Sequence, residues 1–213
     1  VEPWDEQRAK LGQQFAGVTV LDVAGPALRP SDLVVWAVKP QTFREAATSS
    51  RPHLAGALHL SVAAGITSES IAVWLQTQRI VRAMPNTPAL LGAGITGLHA
   101  SELVDDAGRA FAETLLASAG QTVWIGHEDL MDAVTGVSGS GPAYVFLLAE
   151  AMIDAGIAEG LPADAARALA LQTVLGAARM LTEEGAPDAA ELRRRVTSPN
   201  GTTQAAIEAF EAG

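Results

Sequence analysis

The 213-residue sequence contains no cysteine. That absence removes disulfides, thiolate-bound zinc, iron–sulfur ligation and a cysteine nucleophile together. It fits a reducing compartment, and a cytoplasmic location is the expectation. Histidine is sparse. His53, His59, His99 and His127 are scattered, with no pair at H-x-x-x-H spacing, so no metal site is expected. Positive charge is also short, with 14 Lys+Arg against 24 Asp+Glu and a formal net charge of −10. A chain of that sign is a poor partner for nucleic acid or for an anionic membrane surface. No apolar run approaches the roughly 20 residues of a bilayer span. Ala143–Ala149 is cut off by Glu150 and reads as a core helix. The opening VEPWDEQRAK is acidic and amphipathic, unlike a signal peptide. No initiator Met is present, so the native start is expected upstream of Val1.

What is present suits a folded chain: 48% hydrophobic and 18% charged residues, in a length that holds one large domain or two small ones. The first part alternates β-rich runs with helical patterns. Asp32–Lys39, Ala57–Ala64, Arg79–Met84 and Gln121–Gly126 read as strands. Trp4–Phe15, Gln41–Thr48, Glu69–Leu75 and Glu102–Ala119 read as helical, with Thr67 or Ser68 and Ser101 as caps. Such alternation predicts an α/β domain with a parallel sheet covered on both faces. After Gly126 the pattern is helical only. Pro142, Pro162 and Pro187 open helices, Gly160 and Gly185 stop them, and a last helix begins at Thr202 or Thr203. The expected domains are therefore 1–126 and 127–213. The 87 residues of the second part carry helices that are apolar on more than one face, and so few residues cannot cover them all. A second subunit is expected to supply the cover.

An alternating domain suggests a nucleotide at the carboxyl ends of the strands, yet no G-x-G-x-x-G follows any predicted strand. The first strand, its glycine loop and its helix are expected before Val1. Val1-Glu2 would then end the second strand, with Glu2 either facing the adenosine ribose hydroxyls or simply solvated. Lys39-Pro40 ends an apolar strand, so the ammonium reaches either a phosphate, ribose or carboxylate, or only solvent. In Met84-Pro85-Asn86-Thr87-Pro88 two prolines stiffen a loop that either aims Asn86 inward or shapes a turn. Gly136-Val137-Ser138-Gly139-Ser140 fails the nucleophile-elbow pattern at its fifth residue. In Thr197–Thr203, Gly201 permits an unusual backbone and Asn200 tolerates a positive φ. The loop delivers two threonines to a helix N-terminus, where free N–H groups bind carboxylates. The alternative is an ordinary N-cap by Thr202 or Thr203. Glu128, Asp129 and Asp132 form either a first-turn charge pattern or a reach into a cleft. Trp4, Trp36, Trp74 and Trp124 are simplest as core.

Five runs in this order carry a family resemblance: Ala37–Pro40, Ser61–Thr67, Arg82–Ala89, Asp132–Tyr144 and Val196–Thr203. On them the chain resembles pyrroline-5-carboxylate reductase. The resemblance implies a Rossmann-like dinucleotide-binding domain, its first βα unit absent from this chain, followed by an all-α dimerisation domain. It implies reduction of L-1-pyrroline-5-carboxylate to L-proline by NADPH or NADH, in dimers or larger rings of dimers. It places Glu2, Ala37, Val38, Lys39, Pro40, Val62, Ala63, Ala64 and Asn86 at the cofactor and Glu128 near cofactor and substrate. Ser198, Gly201, Thr202 and Thr203 fall at the substrate, with Thr203 beside the imine nitrogen. The chain departs from the family pattern at Asn200, usually Gly, at Ala186, often Glu, and at Ala24, where Asn is common. A hydroxy-acid dehydrogenase of similar architecture would need a catalytic Lys or His in the helical part, and none occurs from Glu128 onward. A non-catalytic dimerisation fragment is the other reading, and an intact mass measurement separates it.

Overall fold

The structure, a computed structural model, describes residues 1–212. It divides into two compact units, Val1–Pro142 and Ala143–Gly213. In the first, strands β1 (Leu33–Trp36), β2 (Leu58–Ser61) and β3 (Ile80–Met84) are parallel neighbours, with Trp36 level with Ser61 and Ser61 level with Arg82. Residues 85–93 then turn the chain straight back. β4 (Gly94–Ala100) runs antiparallel to β3, and β5 (Gly120–Trp124) runs parallel to β4. The sheet is mixed, in the order β1-β2-β3-β4-β5, rather than all-parallel as expected.

The correction rests on β4, which the sequence pattern does not announce. A parallel return needs a crossover of a dozen residues or more, and nine residues without a full helix cannot supply it. Gly94 and Gly97 dilute the strand signal, but both positions need glycine. A Cβ at Gly94 would stand 2.8 Å from backbone atoms of Ala89 and Ala119, and one at Gly97 would stand 2.5 Å from Val134 Cγ1.

Helices cover both faces. Helix α1 (Asp5–Gln14) buries none of its residues. Helices α2 (Pro40–Ser50) and α3 (Ser68–Leu75) share a core with Trp36, Leu54 and Ile80 to which they give Phe43, Ala47, Ile71 and Leu75. On the other face Leu58, Leu60, Val81 and Leu98 pack with Ala112 of α4 (Asp106–Ala117). Asp105, not Ser101, caps α4: its Oδ1 accepts from Gly108 N at 2.9 Å. Ser101 instead exchanges hydrogen bonds with the main chain of Ile80, at 3.1 and 3.0 Å, closing the start of β3. Trp36 is core, but Trp4 is 74% exposed, because α1 has no apolar face to dock. Glu2 N donates to Leu21 O at 2.8 Å, with both residues outside any strand.

Beyond β5 the helical turns run end to end: a 3-10 turn Glu128–Leu130, α5 (Met131–Val134), a π-helical turn Thr135–Gly139 and α6 (Gly141–Ala158). Ser140 N donates to Thr135 O at 2.8 Å, the bond that widens the turn. The helix expected from Ala143 is thus the later part of a 31-residue run, Glu128–Ala158, long and apolar enough by length and composition to cross a bilayer; it is not core within this chain, since only Ala149 of α6 is buried. Its first turns pack within the first unit. A Cβ at Gly139 would lie 2.6 Å from Met84 Cε, so the compact division falls at Pro142 while the all-helical pattern starts at residue 127.

The second unit holds the rest of α6, α7 (Ala163–Thr182), α8 (Ala189–Arg195) and α9 (Thr202–Glu211). Asp188 caps α8, its Oδ1 accepting from Glu191 N at 2.7 Å. Phe146, Leu147, Leu169 and Leu175 stand exposed along α6 and α7. Ala149, Ala166 and Ala170 are the buried residues of these two helices, so small side chains meet within the unit and large ones are left outside.

Candidate active site

Because β1, β2 and β3 are parallel neighbours, the residues that follow them emerge at one edge. Ala37–Pro40, Val62–Ala64 and Pro85-Asn86 are brought together there, as open parallel sheets bring ligand-binding loops together. Lys39 ends the extended chain and is exposed, with Pro40 as the first residue of α2. Ala64 and Gly65 are exposed and small, and Gly65 has φ +73° with open space where a Cβ would be. A flat ring can approach such a backbone closely. The residues of this edge therefore fit a flat ring such as a dinucleotide carries. Asn86 does shape a turn: its Oδ1 accepts from Ile95 N at 3.0 Å and ties the loop to β4.

Glu128 reaches the same neighbourhood. Its Oε1 accepts from Arg82 Nη1 at 2.7 Å and from Ser68 N at 2.6 Å. It thereby pairs a buried guanidinium on β3 and fills an orphan N–H in the first turn of α3. Thr67 Oγ1 fills another by accepting from Ser70 N at 3.2 Å. Burial alone would raise the Glu128 pKa; the Ser68 amide and the Arg82 guanidinium outweigh it and hold the carboxyl below its usual range. Sequence reasoning missed Arg82 as the partner. Its one signal in the sequence is an arginine inside an otherwise apolar strand, IVRAM, which must find a counter-charge.

Val1-Glu2 does not end a strand; Glu2 precedes α1 in irregular chain. Its Oε1 accepts from Trp4 N at 2.9 Å, and Arg8 Nη1 donates to the carbonyls of Glu2, at 2.9 Å, and Pro3, at 3.2 Å. Arg8 also pairs with Asp5.

Ser198–Thr203 belongs to the second unit. The unusual backbone falls on Asn200, φ +59°, and not on Gly201, which is ordinarily extended at φ −89°. Glycine at 201 matters for space, since a Cβ would meet Ser198 O at 3.1 Å. Gly201 is also the N-cap of α9, without a side-chain cap bond, so the ordinary capping role weighed for Thr202 and Thr203 is not what they perform. Gly201 N is already engaged by Ser198 O at 3.0 Å. The first-turn amides of Thr202 and Thr203 are the ones aimed outward.

An α/β unit with a dinucleotide-compatible strand edge, joined to an apolar helical unit, defines the class of nicotinamide-dependent reductases with a helical second domain. Comparison with known proteins sharpens this. Residues 128–213 match the family model described as pyrroline-5-carboxylate reductase dimerisation. A pyrroline-5-carboxylate reductase of Pseudomonas aeruginosa is 49% identical over 99% of this chain and 77% of its own length. Among solved structures, a pyrroline-5-carboxylate reductase from Coxiella burnetii superposes with a TM-score of 0.85 at 39% identity, over 96% of this chain and 77% of that one. The Plasmodium falciparum enzyme, solved with NADP bound, gives 0.79 at 31%, over 87% and 70%. The chain belongs to the pyrroline-5-carboxylate reductase family.

Proposed function

We propose that the chain reduces L-1-pyrroline-5-carboxylate to L-proline by hydride transfer from NADPH or NADH, the last step of proline biosynthesis. The observation that carries this reading is the extent of the likeness, close to half of all positions across nearly the whole chain. In this reading residues 1–126 hold the dinucleotide, and residues 127–213 dimerise and bind substrate. The homodimer forms through the helical part, and rings of dimers are the larger assembly. A second copy, not lipid, covers the apolar length of Glu128–Ala158. The enzyme works in the cytoplasm.

NAD(P)H, when bound, supplies the hydride to the imine carbon. The chain binds, orients and manages one proton. Ala37, Val38, Lys39, Pro40, Val62, Ala63, Ala64 and Asn86 hold the cofactor at the strand edge, and Glu2 meets the adenosine ribose hydroxyls. Glu128, fixed as a carboxylate by Arg82, keeps a negative charge beside the cationic form of the imine. Ser198, Gly201 and Thr202 shape the loop whose free first-turn amides take the substrate carboxylate. Thr203 places its hydroxyl at the ring nitrogen, where it steadies the proton of the iminium that accepts hydride.

The experiment follows loss of reduced coenzyme with the imine and assays L-proline as product. Thr203→Ala is expected to lower turnover by about 10²- to 10⁴-fold, and Thr203→Ser to keep most of it. The melting temperature should stay put, since Thr203 makes no cap bond. No coenzyme oxidation by the parent, or full activity in Thr203→Ala, refutes the respective part.

A further inference from the structure

Leu90 and Leu91 are the most exposed large apolar residues of the described chain, at 90% and 87%. They sit at the tip of the 3-10 turn Thr87–Leu91 between β3 and β4. The turn is braced. Pro88 stiffens its start, Ala89 N donates to Asn86 O at 3.1 Å, and Ala93 N to Pro88 O at 3.2 Å. Gly92 N donates to Ala89 O at 3.0 Å with Gly92 at φ +67°. Two adjacent leucines are thus held out rigidly in water.

Charge is missing around them. From Ala83 to Ser101 there is no Asp, Glu, Lys or Arg, in a chain of net charge −10. A second stretch without those residues, Ala133–Ala149, lies in the segment that matches the family dimerisation model. The two stretches touch: Gly139 faces Met84, the residue that leads into the turn, and Gly97 faces Val134. Between these contacts Val137 is 79% exposed. Depletion of charge with protruding apolar side chains marks the core of a subunit interface, not its rim.

We infer that the dimer interface extends from the helical segment onto the Leu90-Leu91 turn, which seats on a second copy of this chain. The occupant follows from continuity: the turn adjoins residues of the dimerisation match, and that interface is between like chains. The consequence reaches the active site. Asn86 and Pro85, at the base of the turn, belong to the proposed cofactor edge, so association of the two copies fixes that edge.

The inference rests on the homodimer named above, and the test separates the two. Sedimentation equilibrium of the parent, of Leu90→Ser/Leu91→Ser and of Leu90→Met/Leu91→Met reads the dissociation constant directly. The serine pair should raise it by at least about 10²-fold, and the methionine pair should leave it near the parent value. Circular dichroism should be unchanged, because neither leucine is buried within the chain; if the serine pair misfolds, Leu90→Ser alone reads the same surface with a smaller shift. A monomeric parent overturns the dimer itself and this inference with it. A dimeric parent with an equally tight serine pair overturns this inference alone, and loss of phosphatidylcholine-vesicle binding by that variant would then assign the turn to a bilayer.

Discussion

Acidification should weaken the fold through one buried histidine. His59 is in the middle of β2, 3% exposed, and accepts a hydrogen bond at Nδ1 from Trp36 Nε1 at 3.1 Å. Trp36 stacks beside it, ring centroids 6.0 Å apart, and Phe43 lies 5.3 Å from Trp36. The acceptor role requires an unprotonated Nδ1. Burial, and then the charge of Arg79, push the His59 pKa from 6.5 down to about 4. The folded state therefore refuses a proton that the unfolded state accepts below pH 6.5. Stability is full above that pH and falls as pH drops, until the folded-state pKa is passed. The loss is about 2 kcal/mol at pH 5 and about 3 kcal/mol below pH 4. Glu128 does not blur this window. Its lowered pKa gives a contribution that is constant above the usual carboxylate range and is lost only as pH falls through the lowered value.

The assay is urea unfolding at fixed protein concentration across pH 7.5 to 4.5, because association also sets apparent stability. His59→Gln keeps an acceptor for Trp36 and cannot titrate. Its stability should be lower at pH 7.5 by a packing cost of about 1 kcal/mol, but its curve should flatten between pH 6.5 and 5 by about 2 kcal/mol relative to the parent. Equal slopes in parent and variant would refute the reasoning.

Glu128→Ala should cost about 3 kcal/mol, because it strands the buried Arg82 and reopens the first turn of α3; an unchanged unfolding midpoint would show that the pair carries no structural weight. Gly120→Ala should cost about 3 kcal/mol and separate β4 from β5, since the new Cβ would fall 2.0 Å from Gly94 O at φ +137°; near-UV circular dichroism of Trp124 checks it. Coenzyme preference should lean less to NADPH than is common in the family. With Glu2 at the ribose, as proposed above, its carboxylate would repel a 2′-phosphate, and Arg8 is already committed to two carbonyls and Asp5. Titrations of intrinsic fluorescence with NADH and NADPH test it, and a strong NADPH preference that Glu2→Ser leaves unchanged would contradict it.

Much of this molecule is legible along the chain because the determining contacts are local. Pro40 at the first position of α2, Thr67 capping α3 and Asp188 capping α8 act within four residues; the runs 58–61 and 80–84 are strands buried between two layers, while 33–36 is an apolar strand at the sheet edge that leaves Val35 exposed. What hid was set by contacts between distant residues. β4 looks like a loop because its glycines answer to Ala89, Ala119 and Val134, none of which a reading of seven residues contains. The partner of Glu128 is 46 residues away, and the spacing carries no sign of it beyond an arginine that a buried strand could not otherwise hold. The substrate loop shows the same limit at the scale of one residue. Asn200 and Gly201 are both able to take a left-handed backbone, so composition leaves the bend between them. In the structure the left-handed backbone falls on Asn200, and Gly201 is extended with Ser198 O close to where a Cβ would be, at 3.1 Å. That choice leaves Thr202 and Thr203 as the first residues of α9 rather than its caps, with their amides unspent and the Thr203 hydroxyl free for a ligand.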